Sequence, residues 1–330
     1  MSLRSWRQPS YLLRFASISV VLCAGLTAGG CSSEPPPPPP PEMAYVRGSD
    51  VPLLDQLGPE GATIASMGNG AEVQILGTRP RWTQVRTADG QTGWLQSRFL
   101  ADSAVRDRFR ALAEQSVSLP SQGSLLINRA ANLRLEPGRD TETFYQLAEG
   151  DEAEVIGHRI ADRIGTRRNA TEGGPEAPAD VVVQTPEDWL LIRDPEGRTG
   201  WMLESLADMN PPIEVGQYRE GLRLRAWFVI HRELDDGVEH PWYLWATVRR
   251  LAGLPYDFDE IRVFVWNPSR DRYETSYRER NLIGFYPIQV GTRETSGGPS
   301  PIFSLQVEDE AGKRMEKQYV MEGRIVRKVQ

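Results

Sequence analysis

The side chains best suited to metal or acid–base chemistry are few in this chain of 330 residues, which has two cysteines and three histidines. Two histidines, His231 and His240, flank the acidic segment HRELDDGVEH. Together with Asp235, Asp236 and Glu239 they could supply ligands to a zinc or calcium ion. The same residues also fit a hairpin turn without a metal ion, because Asp-Gly between two apolar runs is typical of such a turn. We therefore predict a turn here and no metal ion.

Other catalytic patterns are also missing from the sequence. The two cysteines, Cys23 and Cys31, both lie near the N-terminus, so the rest of the chain has no thiol nucleophile. Neither a G-x-S-x-G nucleophile elbow nor a glycine-rich phosphate loop is present. The sequence does not exclude a pair of carboxylates for glycoside hydrolysis, because 45 acidic residues always provide candidate pairs. We expect a protein without enzymatic activity, catalytic residues, metal or cofactor.

The N-terminal residues have the pattern of a secretion signal. Three arginines precede an apolar stretch that is short for a bilayer span, and small residues follow it. These small residues end at Cys31 in LTAGGC, which resembles the bacterial lipobox, whose cysteine is diacylated and becomes the mature N-terminus. The alternatives are cleavage without lipid and an uncleaved anchor. We predict a lipoprotein signal peptide at residues 1–30 and lipidation at Cys31, which would attach the chain to a membrane.

A run of seven prolines, Pro35 to Pro41, follows the predicted lipidation site. Such a run adopts an extended polyproline helix about 20 Å long. We interpret residues 31–42 as a tether, and a proline-rich ligand for another domain is the alternative. Ser32 and Ser33, with no Asp beside the cysteine, resemble the pattern of lipoproteins sorted to the outer membrane. We therefore expect a bacterial cell-envelope protein that is anchored in the outer membrane and faces the periplasm.

Charge and composition restrict the partners and the fold class. The net charge is -7, and no strong basic patch interrupts it. An acidic chain of this kind argues against a nucleic-acid partner and against binding to anionic lipid by charge alone. The 30 glycines, 25 prolines and lack of a long helical period favour β structure.

Two parts of the chain repeat each other. GAEVQILG at 70–77 matches GDEAEVIG at 150–157, and RWTQVRTADGQTGWL at 81–95 matches DWLLIRDPEGRTGWM at 188–202. Apolar and polar residues alternate in both copies, and Asp-Gly or Glu-Gly separates the runs, which predicts short antiparallel strands. A glycine stands four residues before the second tryptophan of each copy, Gly90 and Gly197. We expect it to bend the strand where a small barrel closes.

The order of these segments resembles the bacterial SH3-type domain. That family has an N-x-R-x-x-P/G start, a central G-x-x-V-x-V-x-G, a W-x-x-V strand and a G-x-x-G-W-V end. The second copy matches from Asn132 to Trp201, and the first has Tyr45 where the family has its starting Asn. The resemblance implies two small SH3-like barrels, at residues 43–102 and 124–210, which bind peptidoglycan stem peptides.

Five aromatic residues are the candidate ligand-binding side chains: Tyr45, Trp82, Trp94, Trp189 and Trp201. They either fill the barrel cores or line a groove, and for Trp82 and Trp189 we favour the core. The alternative function is an accessory or scaffold subunit of an envelope protein complex, with the barrels contacting other proteins. A cell-wall hydrolase with an unrecognised site is a weaker third hypothesis.

The remaining segments complete an all-β architecture. Val105, Phe109 and Leu112 have helical spacing, which predicts a linker helix within residues 103–123. Residues 158–186 have no counterpart in the first copy and are interpreted as an inserted loop or mobile hairpin, with a partner-binding role as the alternative. Residues 211–330 contain seven or eight strand-like runs, which predict an antiparallel β-sandwich or barrel as the C-terminal domain.

Overall fold

A computed structural model describes residues 40–168, 180–249, 251–295 and 298–329. The chain divides into two compact units, Met1–Pro40 and Pro41–Gln330, and the description below concerns the second unit. The predicted signal peptide, Cys31 and most of the tether lie outside the described residues, as does the tip of the insertion. The described residues form three antiparallel sheets and few helices, which confirms the all-β fold class.

The first sheet, here called barrel 1, contains the strands β1 (Met43–Val46), β2 (Val51–Leu54), β3 (Thr63–Met67), β4 (Glu72–Arg79), β5 (Trp82–Thr87), β6 (Thr92–Gln96) and β7 (Leu100–Ala101). Their order across the sheet is β3-β2-β6-β5-β4-β1-β7. A short 3-10 helix, Ser97–Phe99, precedes the last strand. Alternate residues point inward and form a small core that includes Val46, Leu53, Val85 and Leu95.

The second sheet, here called barrel 2, contains the strands β8 (Ser124–Ile127), β9 (Ala131–Arg134), β10 (Thr143–Leu147), β11 (Glu152–Arg168), β12 (Asp180–Arg193), β13 (Thr199–Leu203) and β14 (Ala207–Met209). Their order, β10-β9-β13-β12-β11-β8-β14, repeats that of barrel 1 strand for strand. A 3-10 helix, Glu204–Leu206, again precedes the last strand. The register also shifts at the same place, between Ile75 and Gly77 in β4 and between Val155 and Gly157 in β11.

The described part of the predicted insertion at 158–186 consists of the extended ends of strands β11 and β12. Strands β11 and β12 pair from Glu154 opposite Arg193 out to Arg168 opposite Asp180. Residues 169–179, the tip, lie outside the described residues. Ile164 and Val182 have the branched side chains that suit an extended backbone, and they are 72% and 61% exposed on this hairpin arm.

The linker between the barrels is the helix α1 (Ser103–Ser116). The side chain of Asp102 caps it by accepting a hydrogen bond of 2.8 Å from the Val105 backbone N–H. Val105 and Phe109 are buried, and the Phe109 ring meets Tyr145 of barrel 2 edge-on at 5.4 Å. The helix is therefore part of the core of barrel 2.

The C-terminal sheet follows one helical turn, α2 (Ile213–Gly216), and contains β15 (Arg223–Asp235), β16 (Val238–Val248), β17 (Phe258–Asn267), β18 (Arg272–Thr295), β19 (Gly298–Glu308), β20 (Arg314–Glu322) and β21 (Ile325–Val329). These strands pair in sequence order, and no pairing joins β15 to β21. The result is one open half-barrel, where the sequence predicted a sandwich or barrel. In the described ranges, neither α-helix is long and apolar enough to cross a bilayer.

The segment before barrel 2 connects that barrel to the C-terminal sheet. The Gln122 side chain is fully buried, accepts a hydrogen bond of 2.9 Å from the Ile288 backbone N–H and donates one of 3.3 Å to the Ile288 carbonyl. The Gln122 carbonyl also accepts a bond from the Trp227 N–H of β15. Hydrogen bonds from Gln122 to backbone groups and a common hydrophobic core thus join barrel 2 to the C-terminal sheet.

Candidate functional site

Each barrel carries two tryptophans on the outer surface of its fifth and sixth strands. Residues directly opposite each other in an antiparallel pair lie on the same face of the sheet. In barrel 1, Trp82 is opposite Gln96 and Gln84 is opposite Trp94, whereas Trp189 is opposite Leu203 and Leu191 opposite Trp201 in barrel 2. We call these surfaces the tryptophan faces: Leu76, Trp82, Gln84, Trp94 and Gln96 in barrel 1, and Ile156, Trp189, Leu191, Trp201 and Leu203 in barrel 2.

The tryptophan face of barrel 1 is open. Trp82 and Trp94 are half-buried and belong to none of the hydrophobic cores of the described residues. Leu76, at the register shift, is 37% exposed. The interpretation of Trp82 as barrel core is therefore wrong, because the alternate residues Thr83 and Val85 point inward in its place.

The tryptophan face of barrel 2 is covered. Trp189 and Trp201 are only 2% and 5% exposed and form a separate buried cluster with Ile156 and Leu191. Leu112 of α1 packs against this cluster. Leucines replace the two glutamines of the barrel 1 face, so a surface that is partly polar in one copy is apolar in the other. Trp189 is therefore buried, but in a cluster on the outer face of the sheet, and the alternate residues Leu190 and Ile192 fill the barrel core that the sequence predicts for it.

Tyr45, the fifth candidate, lies apart from both tryptophan faces. It is 6% exposed, and the Arg106 guanidinium of α1 lies 4.0 Å from its ring centroid. Its hydroxyl donates a hydrogen bond of 3.3 Å to the Glu72 carboxylate. The structure therefore pairs Trp82 with Trp94 and Trp189 with Trp201, and it places Tyr45 in the contact between barrel 1 and α1.

The repeated glycines have two different roles. Gly90 and Gly197 have φ angles of +88° and +81° and lie in the hairpin turns, rather than at a bend in the strand. The close approach occurs three residues later, at Gly93 and Gly200. A Cβ atom on Gly93 would lie 2.7 Å from Leu53 Cγ across the barrel. The barrel closes at this second glycine, which explains why the turn-and-tryptophan signature occurs twice.

A groove of about 560 Å³ lies between barrel 2 and the C-terminal sheet. One wall is β11 just after its register shift, with His158 and Arg159. The other wall comes from the loop before β17, from β20 through Arg314, and from a second register shift in β18, between Phe285 and Gln289. Irregularities of this kind are common beside binding sites because they redirect side chains.

A buried histidine between two carboxylates closes one side of the groove. His158 Nδ1 lies 2.6 Å from Asp257 Oδ1, and His158 Nε2 lies 3.0 Å from Asp188 Oδ1. Burial alone would lower the pKa of His158, but the hydrogen bonds to Asp188 and Asp257 outweigh it and raise this pKa above its ordinary value. A protonated His158 donates to both carboxylates and so joins barrel 2 to the C-terminal sheet.

Arg225 extends this network into the interior. Its side chain is 1% exposed and donates hydrogen bonds to Glu204 and to Asp188. Burial would raise the pKa of Asp188, but the His158 hydrogen bond and the Arg225 charge lower it to about 2. The charges in this interior cluster therefore compensate each other.

Sequence analysis missed His158, Asp257 and Arg314. A usable signal for His158 was present, because extending the aligned GAEVQILG and GDEAEVIG segments by one residue places His158 opposite Thr78. Asp257 and Arg314 come from regions without an internal repeat. The hairpin turn predicted for HRELDDGVEH is present at Asp236-Gly237. Two acidic residues beside it, Asp235 and Glu233, accept hydrogen bonds from the indoles of Trp266 and Trp242.

The small barrel formed by residues 43–101 is SH3-like. A family model described as bacterial SH3 domain matches residues 58–101 of the chain, most of barrel 1. No curated protein sequence matches the chain.

Two solved structures are similar to parts of the chain. NlpC2 from Trichomonas vaginalis is 10% identical, with 86% of this chain and 98% of that one covered and a TM-score of 0.17. NlpC1 from the same organism is 11% identical, with 85% and 92% covered and the same TM-score. The described residues contain no group of three or more His, Cys, Asp or Glu side chains that could hold a metal ion.

Proposed function

We propose that this chain is a lipid-anchored, non-catalytic protein of the bacterial cell envelope whose barrel 1 binds peptidoglycan stem peptides through its tryptophan face. The observation that carries the proposal is that Trp82 and Trp94 lie in the segment matched to the bacterial SH3 domain, a class that typically binds peptidoglycan, and stay partly exposed there.

The chemistry of the barrel 1 face suits a peptide ligand. The indole rings of Trp82 and Trp94 offer rigid apolar surfaces with one N–H donor each. Gln84 and Gln96 add amide groups that both donate and accept hydrogen bonds, as the peptide backbone of a stem requires. In this proposal barrel 2 is a second SH3-type domain whose tryptophan face is used for packing.

The test is sedimentation of the full chain with purified cell-wall sacculi. Replacing both tryptophans, Trp82→Ala with Trp94→Ala, should weaken binding roughly tenfold or more, because two stacking contacts are lost. Ile64→Ala is the matched control, since it removes an apolar side chain that is 44% exposed on another strand of barrel 1. Circular dichroism of each variant confirms that the barrel is folded. Equal sedimentation of the double variant and the control would reject the tryptophan face as the wall-binding site.

The lipid anchor is tested separately by Cys31→Ser and cell fractionation. The N-terminal signal pattern and the proline run support the anchor. Two acyl chains suffice for stable attachment, so wild type should be in the membrane fraction and the variant should leave it. A variant that stays with the membranes would contradict lipidation at Cys31.

A second function, as an accessory subunit of an envelope complex, is favoured by the hairpin arm. Ile164 and Val182 lie on the same face of the two-stranded arm and are 72% and 61% exposed. Exposed apolar side chains on a protruding ribbon suit a protein partner. Loss of co-purified envelope proteins on Ile164→Ser, with wall binding unchanged, would support this function, and an unchanged set of partners would argue against it.

A further inference from the structure

We propose that the groove between barrel 2 and the C-terminal sheet binds a short acidic peptide, whose carboxylates are held by Arg159 and Arg314. These two side chains come from opposite walls of the groove, one from β11 and the other from β20. The site is distinct from the tryptophan face of barrel 1, and its ligand is recognised by charge.

Among the residues that the structure describes, neither the Arg159 nor the Arg314 guanidinium has a carboxylate partner. Elsewhere most arginines form ion pairs, such as Arg193 with Glu154 at 2.9 Å and Arg278 with Glu260 at 2.7 Å. Neither Arg159 nor Arg314 makes an ion pair with any residue that the structure describes. Glu308 is directly opposite Arg314 in the strand pairing but makes no ion pair with it, so the two arginines beside the groove offer positive charge to a negative ligand.

Both guanidiniums also stack on aromatic rings. Arg159 lies 5.2 Å from the Trp201 ring centroid, and Arg314 lies 3.8 Å from that of Phe285. Stacking restricts the side chain while its N–H groups stay available at the edge of the guanidinium plane. A pre-organised guanidinium loses less entropy when it forms a bidentate bond to a carboxylate.

The groove itself adds no competing negative charge. Asp257 is the one acidic residue among those that line it, and both of its oxygens are occupied. One oxygen faces His158 Nδ1, and the other accepts a hydrogen bond of 2.6 Å from the Tyr286 backbone N–H. A ligand carboxylate therefore meets the two free arginines without an unpaired carboxylate opposite it.

Size and wall composition select the class of ligand. A volume of about 560 Å³ is that of a small-molecule site and is too small for a folded domain. The residues that line the groove also include Ile160, Pro255 and Pro287, whose side chains are apolar. A ligand that joins two separated carboxylates by a partly apolar backbone matches this arrangement, whereas a phosphate would concentrate its charge at one arginine.

The experiment is calorimetric titration of the full chain with triglutamate at low ionic strength, and with triglutamine for comparison. We expect binding of triglutamate only, weakened about tenfold by either Arg159→Gln or Arg314→Gln. Two controls remove the same charge nearby without touching the groove: Arg163→Gln, four residues further along β11, and Lys313→Gln, next to Arg314. Both controls should bind as wild type.

The outcomes separate this site from the wall-binding proposal. Arg159 and Arg314 are exposed, so their replacement should leave thermal unfolding unchanged. Equal binding of triglutamine, no binding of triglutamate, or wild-type affinity in both arginine variants would each overturn the proposal. The double variant of Trp82 and Trp94 should bind triglutamate normally, so a failure of wall binding and a failure of this site are distinguishable.

Discussion

Barrel 1 and barrel 2 have the same strand order, the same register shift and the same pair of tryptophans, yet they use the tryptophan face differently. Barrel 1 presents Trp82 and Trp94 beside two glutamines, and the face stays open. Barrel 2 has its tryptophans beside two leucines, and Leu112 of α1 packs against their cluster. The neighbours of a repeated aromatic residue, more than the residue itself, decide whether it is buried or stays partly exposed.

The largest expected difference between the barrels is the cost of removing the first tryptophan. Trp189→Ala deletes a side chain that is 2% exposed and should lower the free energy of unfolding by about 3–5 kcal/mol. Trp82→Ala removes a half-buried ring and should cost about 1 kcal/mol, because less apolar area is lost. Urea unfolding followed by circular dichroism measures both, and equal costs would mean that the two faces are packed alike.

A smaller difference is expected when the neighbours are exchanged. Leu191→Gln places an amide among the apolar side chains of the barrel 2 face and should lower the free energy of unfolding by about 2 kcal/mol, because a buried polar group loses its hydration. The reciprocal change, Gln84→Leu in barrel 1, should alter stability by roughly 0.5 kcal/mol or less. The same unfolding measurement applies. If Leu191→Gln proves harmless, water reaches that face and the comparison fails.

The smallest effect concerns the pH dependence that only barrel 2 should have. Thr78 of barrel 1 occupies the register position of His158. The raised pKa of His158 means that its contribution to stability is full below about pH 6.5, its unfolded value, and is lost as pH rises through the folded pKa. His158→Gln should remove this decline from the pH dependence of unfolding of the full chain. Thr78→Val is the control and should leave the pH profile unchanged, and a decline that persists in His158→Gln must come from another group.

Much of the fold was predictable because the repeat contains the local signals that determine strands. Asp-Gly and Glu-Gly tips and alternating apolar residues marked the hairpins, and Val105, Phe109 and Leu112 marked α1. The sequence did not reveal that Trp82 is outside the core. The alternation of side chains along a strand shows only that Trp82 and Val85 lie on opposite faces of the sheet. Which face is buried depends on what packs against it in the folded chain.

The candidate groove was less predictable, because its walls come from distant parts of the chain. His158 and Asp257 are 99 residues apart, and Arg314 is further still. The many polar and small residues of the insertion predict either a loop or a hairpin, and the pairing of β11 with β12 through its described part agrees with the hairpin. Pairing between the two strands outweighs the preference of this composition for a loop.

The hydrophobic core that unites barrel 2 with its neighbours limits how this chain can be divided. Phe109 of α1, Ile127 of β8, and Trp245 and Phe264 of the C-terminal sheet belong to a single buried cluster. A cut in the chain near residue 210 would separate the residues of that cluster. In the intact chain, amide hydrogens on both sides of residue 210 should therefore exchange through one common unfolding event. Barrel 1 has its own cluster, and only Tyr45 and Ala101 of its strands join the larger one. Barrel 2 therefore has the strand order of barrel 1 but no independent core, and without α1 and the C-terminal sheet it would lose part of its buried apolar contacts.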